Sequence, residues 1–259
     1  MTDAVKVAVE AACAAGKIQS EHVDDVRDIS EKGGLRGDVV TEVDLLCEKE
    51  IIGRIQSAFP DHAILAEESG DTQGDVKNKW IIDPLDGSLN YSHGYPCYCV
   101  SIGLEHDGEP VVGVIYNPNL DELFVAEKGQ GATLNGKPIR VSTIDTLGKS
   151  LLVTGFTPKI VEREDDNLNH FCNFIKSCQA VRRPGSAAMD FCYTAMGRFD
   201  GFWEACLNPW DMAAGALIVR EAGGTVTAFD GEPFSIYGNH VLATNGKVHQ
   251  QMVDILVKP

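Results

Sequence analysis

The amino-acid sequence predicts a mixed α+β and α/β fold, with the two kinds of structure in successive halves of the chain. Three observations support this prediction. Two amphipathic helical patterns, at residues 4–20 and 44–59, precede a series of short β-rich segments. Tight-turn signals separate those segments, as in an antiparallel sheet. After residue 150, strand and helix patterns alternate along the chain, which is typical of layered α/β architecture.

The first half is expected to pack helices on an antiparallel sheet. Asp107-Gly108 and Asn135-Gly136 are typical of tight hairpin turns. Strands are predicted at residues 63–66, 80–82, 99–104, 111–116 and 122–126. The apolar stripe of the second helix, which Pro60 ends, is expected to consist of Leu45, Leu46, Ile51, Ile52 and Ile55.

The segment between the two helices, residues 29–38, is rich in glycine and charge. It is expected to form a solvated surface loop, and the alternative is a lid over a binding site. In a lid, Lys32 and Arg36 would screen the charge of a bound phosphate.

In the second half of the chain, segments with helical periodicity alternate with segments that have the pattern of β-strands. Helices are predicted at 165–177, 186–196 and 211–222, and from residue 248 onwards. Strands are predicted at 151–154, 180–183, 199–203, 225–229 and 241–243. Gly223-Gly224 is a typical helix end. We place the division between the halves near residue 145, with residues 1–145 and 146–259 forming one compact unit.

The charge balance limits the partners of the protein. The chain has 22 Lys and Arg against 38 Asp and Glu, a formal net charge of −16. So negative a protein repels nucleic acid and anionic membranes, and it would need a divalent cation to hold an anionic substrate. The sequence has neither a signal-peptide pattern nor an apolar run of the ~20 residues that a membrane span needs. We therefore expect a cytoplasmic protein that binds neither nucleic acid nor membrane directly.

The eight cysteines are expected to be buried, reduced thiols. None of their spacings is C-x-x-C, and most lie among apolar residues, which disfavours zinc sites and disulfide frameworks. Cys97 and Cys99 could form a redox pair, but alternate positions on a strand face opposite sides.

The most informative stretch runs from Asp83 to Ser88. An apolar strand leads to Asp83, and Pro84 is expected to end strand pairing and force a turn. Asp86 follows close enough for both carboxylates to face one point. Gly87 and Ser88 then offer backbone N–H groups where a helix would begin, a typical phosphate-binding arrangement. Carboxylates beside a phosphate repel it unless divalent cations intervene, and oxygen ligands favour Mg²⁺ over zinc. Turn formation alone is the alternative interpretation of this segment.

Other acidic residues come at the ends of predicted elements. Glu67-Glu68 follows a strand, whereas Asp44 and Asp211 stand where helices begin. An aspartate at the start of a helix is ordinarily a cap, so the positions of Asp44 and Asp211 alone do not separate structure from function.

Several motifs together resemble the inositol monophosphatase family of Mg²⁺-dependent, lithium-sensitive phosphatases, in particular its bacterial inositol-1-monophosphatase type. The resemblance covers nearly the whole chain and includes the upstream elements Asp38-x-x-Thr41-x-x-Asp44 and Ala66-Glu67-Glu68-Ser69. Its defining segments are Asp83-Pro-Leu-Asp-Gly-Ser-Leu-Asn-Tyr91, Arg183-x-Gly-Ser-Ala-Ala188, Pro209-Trp-Asp-x-Ala-Ala-Gly215 and Val219-Arg-Glu-Ala-Gly-Gly224.

The resemblance implies a five-layered α-β-α-β-α sandwich of the sugar phosphatase type, assembled as a homodimer. The implied activity is hydrolysis of a phosphate monoester by metal-activated water, with myo-inositol monophosphate as the first candidate substrate. Fructose-1,6-bisphosphatase, 3′(2′),5′-bisphosphate nucleotidase and histidinol phosphatase activities are alternatives within the family. A different class of function is that of an interaction protein of the transcription machinery, as for some bacterial members of this type.

The resemblance also implies residue roles. Two to three Mg²⁺ ions would be held by Glu67, Asp83, the Leu85 carbonyl, Asp86 and Asp211. The Ser88 hydroxyl, paired with Asp44 and assisted by Glu67, would orient or deprotonate the attacking water. Ser88 stands where the family often has threonine, which keeps the hydroxyl.

The phosphate and the alcohol are assigned to different parts of the site by the same resemblance. The N–H groups of Gly87 and Ser88 would hold the phosphate. The alcohol part would be contacted by Asp86, Gly185, Ala187, Glu204 and Asp211.

Overall fold

The computed structural model describes residues 2–23, 29–31, 39–157 and 167–257. Residues 29–31 form a strand where the sequence predicted a loop or lid. Residues 32–38, which include Lys32, Arg36 and Asp38, lie outside this description. The described part begins with helix α1 (Asp3–His22), followed by a two-stranded sheet of β1 (Ile29–Glu31) and β2 (Val39–Thr41), and then helix α2 (Glu42–Ala58).

An eight-stranded sheet follows α2. Its strands are β3 (His62–Ala66), β4 (Gly70–Asp71), β5 (Asp75–Asp86), β6 (Cys99–His106), β7 (Glu109–Asn117), β8 (Glu122–Glu127), β9 (Gly131–Leu134) and β10 (Lys137–Pro138). They lie in the order β10-β9-β8-β7-β6-β5-β3-β4, and all neighbours are antiparallel except β3 and β5. Both predicted hairpin turns are confirmed, because Asp107, Gly108, Asn135 and Gly136 all have positive φ angles. The predicted antiparallel sheet of the first half is therefore essentially correct.

A five-stranded sheet occupies the second half. Its strands are β11 (Leu151–Thr154), β12 (Ala180–Arg182), β13 (Gly201–Ala205), β14 (Thr225–Thr227) and β15 (His240–Thr244). They lie in the order β12-β11-β13-β15-β14. β11 is parallel to both β12 and β13, whereas β15 is antiparallel to β13 and β14. The alternating sequence pattern thus produces a mixed sheet.

The remaining helices complete five layers. They are α3 (Ser88–Ser92), α4 (Leu168–Ile175), α5 (Ala187–Ala195), α6 (Pro209–Glu221) and α7 (His249–Leu256). α1 and α2 pack on one face of the eight-stranded sheet, and α5 and α6 contact strands of both sheets. α4 and α7 contact the five-stranded sheet and each other. This arrangement confirms the expected α-β-α-β-α order.

Small residues allow the middle helix α6 to approach the sheet. A Cβ atom at Gly113 of β7 would lie 2.7 Å from the Ala214 carbonyl oxygen, closer than carbon and oxygen can approach. A Cβ atom at Gly103 of β6 would lie 3.0 Å from the Ala213 Cβ atom. The small residues at the start of α6 therefore serve tight packing as well as helix formation.

Two expectations about side-chain burial were wrong. Leu45 and Leu46 were expected in the apolar stripe of α2, but they are 56% and 45% exposed. The buried apolar face instead repeats every four residues, through Val43, Cys47, Ile51 and Ile55. All eight cysteines are free, but only Cys47, Cys99 and Cys192 are buried, and Cys13 and Cys172 are exposed.

Several element bounds also differ from prediction. α6 begins at Pro209 rather than Asp211, and β13 spans residues 201–205 rather than 199–203. Residues 165 and 166 of the helix predicted at 165–177 lie outside the described ranges, and α4 covers residues 168–175. No helix in the described ranges combines the length and the apolar character that a bilayer crossing requires.

Candidate functional site

A cavity of about 180 Å³ opens where β3, the end of β5 and the first turns of α3, α5 and α6 meet. Every residue that the sequence analysis assigned to the site lines this cavity, except Asp44. The residues brought together are Glu67, Asp83, Leu85, Asp86, Gly87, Ser88, Gly185, Ala187, Glu204 and Asp211. The cavity volume suits a small molecule with its bound ions, and its wall is rich in carboxylates.

The end of β5 forms a bulge instead of the expected strand end. β5 continues through Pro84 to Asp86, and its register against β6 shifts between Asp83 and Asp86. The Leu85 N–H donates to Asp83 Oδ1 at 3.0 Å. Gln19 of α1, which is fully buried, donates from Nε2 to the Pro84 carbonyl at 2.9 Å. The bulge accommodates the proline because extra residues on one strand leave the ladder locally unpaired.

The start of α5 holds the Asp86 carboxylate. The Ser186 hydroxyl and the Ala188 N–H donate to Asp86 Oδ2 at 2.5 and 2.8 Å. Burial raises the pKa of Asp86 to about 6, although these hydrogen bonds oppose the increase. The buried Cys99 thiol lies 3.8 Å from the same oxygen. The carboxylate is therefore fixed in orientation before any ligand binds.

Three carboxylates converge at the cavity. Asp83, Asp86 and Asp211 each present an oxygen within 4.8 Å of the other two. Burial raises the pKa of Asp83, as do the neighbouring carboxylates of Glu67, Asp86 and Asp211 and a hydrogen bond with Glu67. Burial, together with Asp86 and Glu67, likewise raises the pKa of Asp211. A hard divalent cation would relieve this repulsion, so the donor set fits such an ion.

Asp44 and Asp211 occupy equivalent positions in their helices. Neither is the N-cap that its sequence position suggested, because the caps are Thr41 and Asn208. Each aspartate is three residues further on and accepts from the N–H of its cap residue, at 2.8 Å for Asp44 and 2.7 Å for Asp211. Asp44 uses its other oxygen to accept from the Ser88 hydroxyl at 2.7 Å. The expected Ser88–Asp44 pair is therefore present.

Gly87 is the turn that brings Ser88 into the site. Its φ angle is +93°, and a Cβ atom would lie 2.8 Å from the Cys97 carbonyl oxygen. α3 begins directly afterwards at Ser88, whose hydroxyl also lies 2.8 Å from the Leu85 carbonyl oxygen. Both the conformation and the space require glycine at position 87.

Asn90 of α3 is hydrogen-bonded to the loop that precedes α5. Its Nδ2 donates to the carbonyls of Cys97, Pro184 and Gly185 at 2.7, 2.9 and 3.1 Å. Through these bonds α3 fixes the loop that leads from β12 into α5. Gly185 and Ala187, which the resemblance assigns to the alcohol part, belong to this segment.

Glu204 lines the cavity from strand β13. Its side chain is buried, and burial together with the charge of Asp86 raises its pKa to about 8, while Arg183 opposes the increase. A Cβ atom at Gly155 would overlap the Glu204 carboxylate. The Gly155 carbonyl accepts from Asn167 Nδ2 at 2.9 Å, so the backbone behind Glu204 is itself held in place.

Sequence reasoning assigned no role to four residues of the site. Gln19 supports the bulge, whereas Ser186, Asp190 and Arg183 line the cavity. Ser186 and Arg183 lie within a segment of the family resemblance, and the other two residues each carried a signal of their own. Gln19 is a polar residue on the otherwise alanine-rich buried face of α1, and Asp190 is an acidic residue on the apolar face of α5. Ser186 was recognisable as a helix start, but its bond to Asp86 joins residues a hundred positions apart.

Comparisons with known proteins agree over almost the entire chain. The sequence profile described as "Inositol monophosphatase family" matches residues 1–258. A relative from Synechocystis sp., named inositol-1-monophosphatase, is 51% identical and covers 97% of this chain and 88% of its own length. Escherichia coli K12 Nus factor SuhB is 41% identical, over 96% of this chain and 94% of its own. The solved inositol monophosphatase of Anabaena sp. superposes with a TM-score of 0.89 at 45% identity, over 97% and 94% of the two chains.

Proposed function

We propose that this chain, which belongs to the inositol monophosphatase family, hydrolyses the phosphate monoester of a polyhydroxylated alcohol with the help of divalent cations. One observation carries the proposal. The convergent carboxylates of Asp83, Asp86 and Asp211 share a cavity with Ser88, whose hydroxyl donates to the buried Asp44 carboxylate behind the cavity wall. Such a site can bind cations, a phosphate group and an attacking water at neighbouring positions.

The cation that fits this donor set is Mg²⁺, and we propose two to three ions. Their ligands would be Glu67, Asp83, the Leu85 carbonyl, Asp86 and Asp211. All of these donors are oxygen atoms, which suits a hard cation. When bound, Mg²⁺ would neutralise the charge of the phosphate and lower the pKa of coordinated water.

The pair of Ser88 and Asp44 would orient the attacking water and take its proton. Asp44 is fully buried, and its second oxygen accepts from the Thr41 N–H and hydroxyl at 2.8 and 2.6 Å. The Ser88 hydroxyl would donate to the Asp44 carboxylate at 2.7 Å rather than to the Leu85 carbonyl at 2.8 Å, because hydrogen bonds to ionised acceptors are stronger. This leaves a lone pair on Ser88 Oγ to accept a hydrogen bond from water. Glu67, which lines the same cavity, would assist.

The substrate would span the cavity from α3 to β13. The N–H groups of Gly87 and Ser88 would hold the phosphate at the start of α3. The alcohol would be contacted by Asp86, Gly185, Ala187, Glu204 and Asp211. Glu204, a buried hydrogen-bond acceptor, suits hydroxyl groups of the alcohol.

The substrate that we propose first is myo-inositol monophosphate, because the Synechocystis relative is named inositol-1-monophosphatase. Phosphate release from four compounds tests the choice, with Mg²⁺ and with EDTA. The compounds are myo-inositol 1-phosphate, fructose 1,6-bisphosphate, 3′-phosphoadenosine 5′-phosphate and histidinol phosphate. We expect Mg²⁺-dependent release, fastest from the first. Release that EDTA leaves unchanged would contradict the proposed site. Faster release from one of the other three compounds would make that compound the preferred substrate in place of myo-inositol 1-phosphate.

A second candidate function is contact with the transcription machinery, since the Escherichia coli relative is named a Nus factor. The net charge of −16 favours a basic protein partner over RNA. An Asp83→Asn variant separates the two functions. We expect the variant to lose catalysis, because Asp83 is a proposed cation ligand, and we expect docking to survive if the variant folds.

We also propose an oligomeric state and an inhibitor for this enzyme, both on the basis of the family resemblance. We propose a cytoplasmic homodimer that lithium inhibits and that does not bind nucleic acid directly. Sedimentation equilibrium would give the oligomeric state, and a lithium titration of phosphate release would give the inhibition.

A further inference from the structure

Asp190 is a buried carboxyl group for which the described part of the chain supplies no hydrogen-bond donor. Its side chain is 1% exposed, and neither Oδ1 nor Oδ2 has a hydrogen-bond partner. It is nevertheless one of the residues that line the cavity. A buried carboxyl group without a donor is costly, and native proteins ordinarily satisfy such groups with protein, water or ligand.

The position of Asp190 on α5 places it beside the alcohol side of the site. Residues three or four apart on a helix share a face. Asp190 therefore lies on the same face as Ala187, which lines the cavity, and Ser186, which holds Asp86. The backbone of Asp190 is committed to the helix, because its N–H donates to the Ser186 carbonyl and its own carbonyl accepts from the Thr194 hydroxyl. Only the carboxyl group remains for another role.

Glu204 is the acidic neighbour of Asp190 in this region. Burial first, and then the charges of Glu204 and Asp86, raise the pKa of Asp190, whereas Arg183 opposes the increase. Glu204 lines the same cavity, and its carboxylate packs against Gly155. The two carboxyl groups thus provide hydrogen-bond acceptors from both α5 and β13. Among the described residues that line the cavity, Arg183 is the only basic one, and it is exposed.

We propose that Asp190 is a specificity-determining residue that completes an acceptor subsite with Glu204. The subsite takes hydrogen-bond donors from the alcohol, directly or through one ordered water. It therefore selects phosphate esters of alcohols that carry several hydroxyl groups over esters of plain cycloalkyl alcohols. This inference rests on the proposed phosphatase function and adds a residue outside the alcohol contacts that the family resemblance assigns.

A comparison of two substrates on an Asp190→Asn variant tests the inference. myo-Inositol 1-phosphate and cyclohexyl phosphate share a six-membered ring and a phosphate, but only the first has further hydroxyl groups. With saturating Mg²⁺, we expect the variant to lose about tenfold or more in kcat/KM for the inositol ester, mainly through KM. For cyclohexyl phosphate we expect a change of less than about twofold. Asp107→Asn, which makes the same replacement in the exposed turn between β6 and β7, should leave the ratio of the two values unchanged.

Other outcomes would overturn the inference. Equal losses on both esters would indicate a structural role for Asp190, and no loss on either would remove it from the site. If Arg183→Met reproduced the selective loss of Asp190→Asn, the partner of Asp190 would be Arg183 rather than the substrate.

A binding measurement separates this inference from the proposed function. Calorimetric titration with myo-inositol 1-phosphate in the presence of Ca²⁺ reports affinity whether or not hydrolysis occurs. An about tenfold weaker affinity of Asp190→Asn would support the subsite even if the wild-type chain released no phosphate. Equal affinities of wild type and variant would contradict the subsite even if the wild-type chain were an active phosphatase.

Discussion

At the scale of single residues, the acidic side chains of the cavity have almost no positive charge around them. Asp83, Asp86 and Asp211 converge within 4.8 Å, and Arg183 is the one basic residue among the described residues of the cavity wall. Like charges this close raise one another's pKa unless a cation intervenes. The arrangement is costly for folding alone, and a bound cation would offset this cost.

Replacement of the proposed ligands by amides should therefore abolish most of the activity. We expect Glu67→Gln and Asp211→Asn each to reduce turnover at least about a hundredfold, a loss of ~3 kcal/mol of transition-state stabilisation. Asp107→Asn, in the exposed turn between β6 and β7, is the matched control because it removes the same charge outside the cavity. Near-wild-type turnover of both variants at saturating Mg²⁺ would contradict their assignment.

The hydroxyl group of Ser88 is expected to matter more than the identity of the residue. Ser88→Ala removes the group that contacts Asp44 at 2.7 Å, and we expect turnover to fall by about a hundredfold or more. Ser88→Thr keeps the hydroxyl, so most of the activity should remain. Steady-state kinetics measure the turnover of the two variants, and their melting temperatures show whether each variant is folded. Equal activities of the alanine and threonine variants would contradict the role of the hydroxyl.

Protons and Mg²⁺ should compete for the carboxylates of the site. The pKa of Asp86 rises from an ordinary 3.8 to about 6 in the folded protein. At pH values between these two, Asp86 is therefore protonated in the folded protein and ionised in the unfolded chain. Without metal, the contribution of Asp86 to stability is therefore present at low pH and is lost as the pH rises through about 6. Mg²⁺ must displace the same proton, so its stabilising effect increases with pH.

The expected result is a larger Mg²⁺-induced increase in melting temperature at about pH 7.5 than at about pH 5. Differential scanning fluorimetry with and without Mg²⁺ at both pH values measures it. An increase of equal size at both values would show that these carboxyl groups do not take part in cation binding.

At the scale of elements, the site depends on the ends of helices and on one irregular strand. Both Asp44 and Asp211 bond the N–H of the residue that caps their helix, which leaves the second oxygen for other contacts. The sequence indicated helix starts at both places but not the residue that caps each one. Thr41 and Asn208 were recognisable as caps only with the correct helix bounds, which are the least certain part of a sequence-based assignment.

The bulge of β5 shows what local patterns cannot predict. Pro84 indicated a break in strand pairing, and that expectation follows from the missing N–H of proline. In the structure, β6 pairs with β5 on both sides of the bulge, at Asp83 and at Asp86. Gln19, sixty-five residues away, binds the Pro84 carbonyl within it. The motif was evident from the sequence, whereas its support from α1 depends on tertiary packing.

Gln19 should consequently affect cation binding without touching a cation. In a Gln19→Leu variant, the Pro84 carbonyl loses its donor, and we expect the half-saturating Mg²⁺ concentration to rise severalfold. Ser20→Ala, at the neighbouring position on α1, is the control because its hydroxyl bonds only within the helix. Titration of the melting temperature with Mg²⁺ measures the effect. Identical titrations of the two variants would show that Gln19 does not position the bulge.

At the scale of the whole molecule, residues far apart in sequence form one cavity because α5 and α6 lie between the two sheets. The core around these helices contains residues from both, such as Ile115 of the eight-stranded sheet and Phe202 of the five-stranded one. This shared core supports our proposal that residues 1–145 and 146–259 form a single unit. The sequence predicted the classes of the two halves from periodicity, but the order of the layers came from the family resemblance.

The net charge of −16 also acts at this scale. An acidic molecule that binds a phosphate ester must concentrate cations locally, since its overall field repels the substrate. Composition therefore pointed toward a cation-dependent site before any residue was assigned. The particular ligands could be predicted because the motifs are short and local, whereas the role that we propose for Asp190 depends on its place in the three-dimensional cavity.

The most direct test of a cation-dependent phosphatase site is the Mg²⁺ dependence of phosphate release from myo-inositol 1-phosphate, measured for wild type and Asp83→Asn. We expect saturable dependence on Mg²⁺ for the wild type. For the variant, whose melting temperature shows it to be folded, we expect turnover lower by at least about a hundredfold. Release by the wild type without divalent cations, or equal release by the folded variant, would contradict the account.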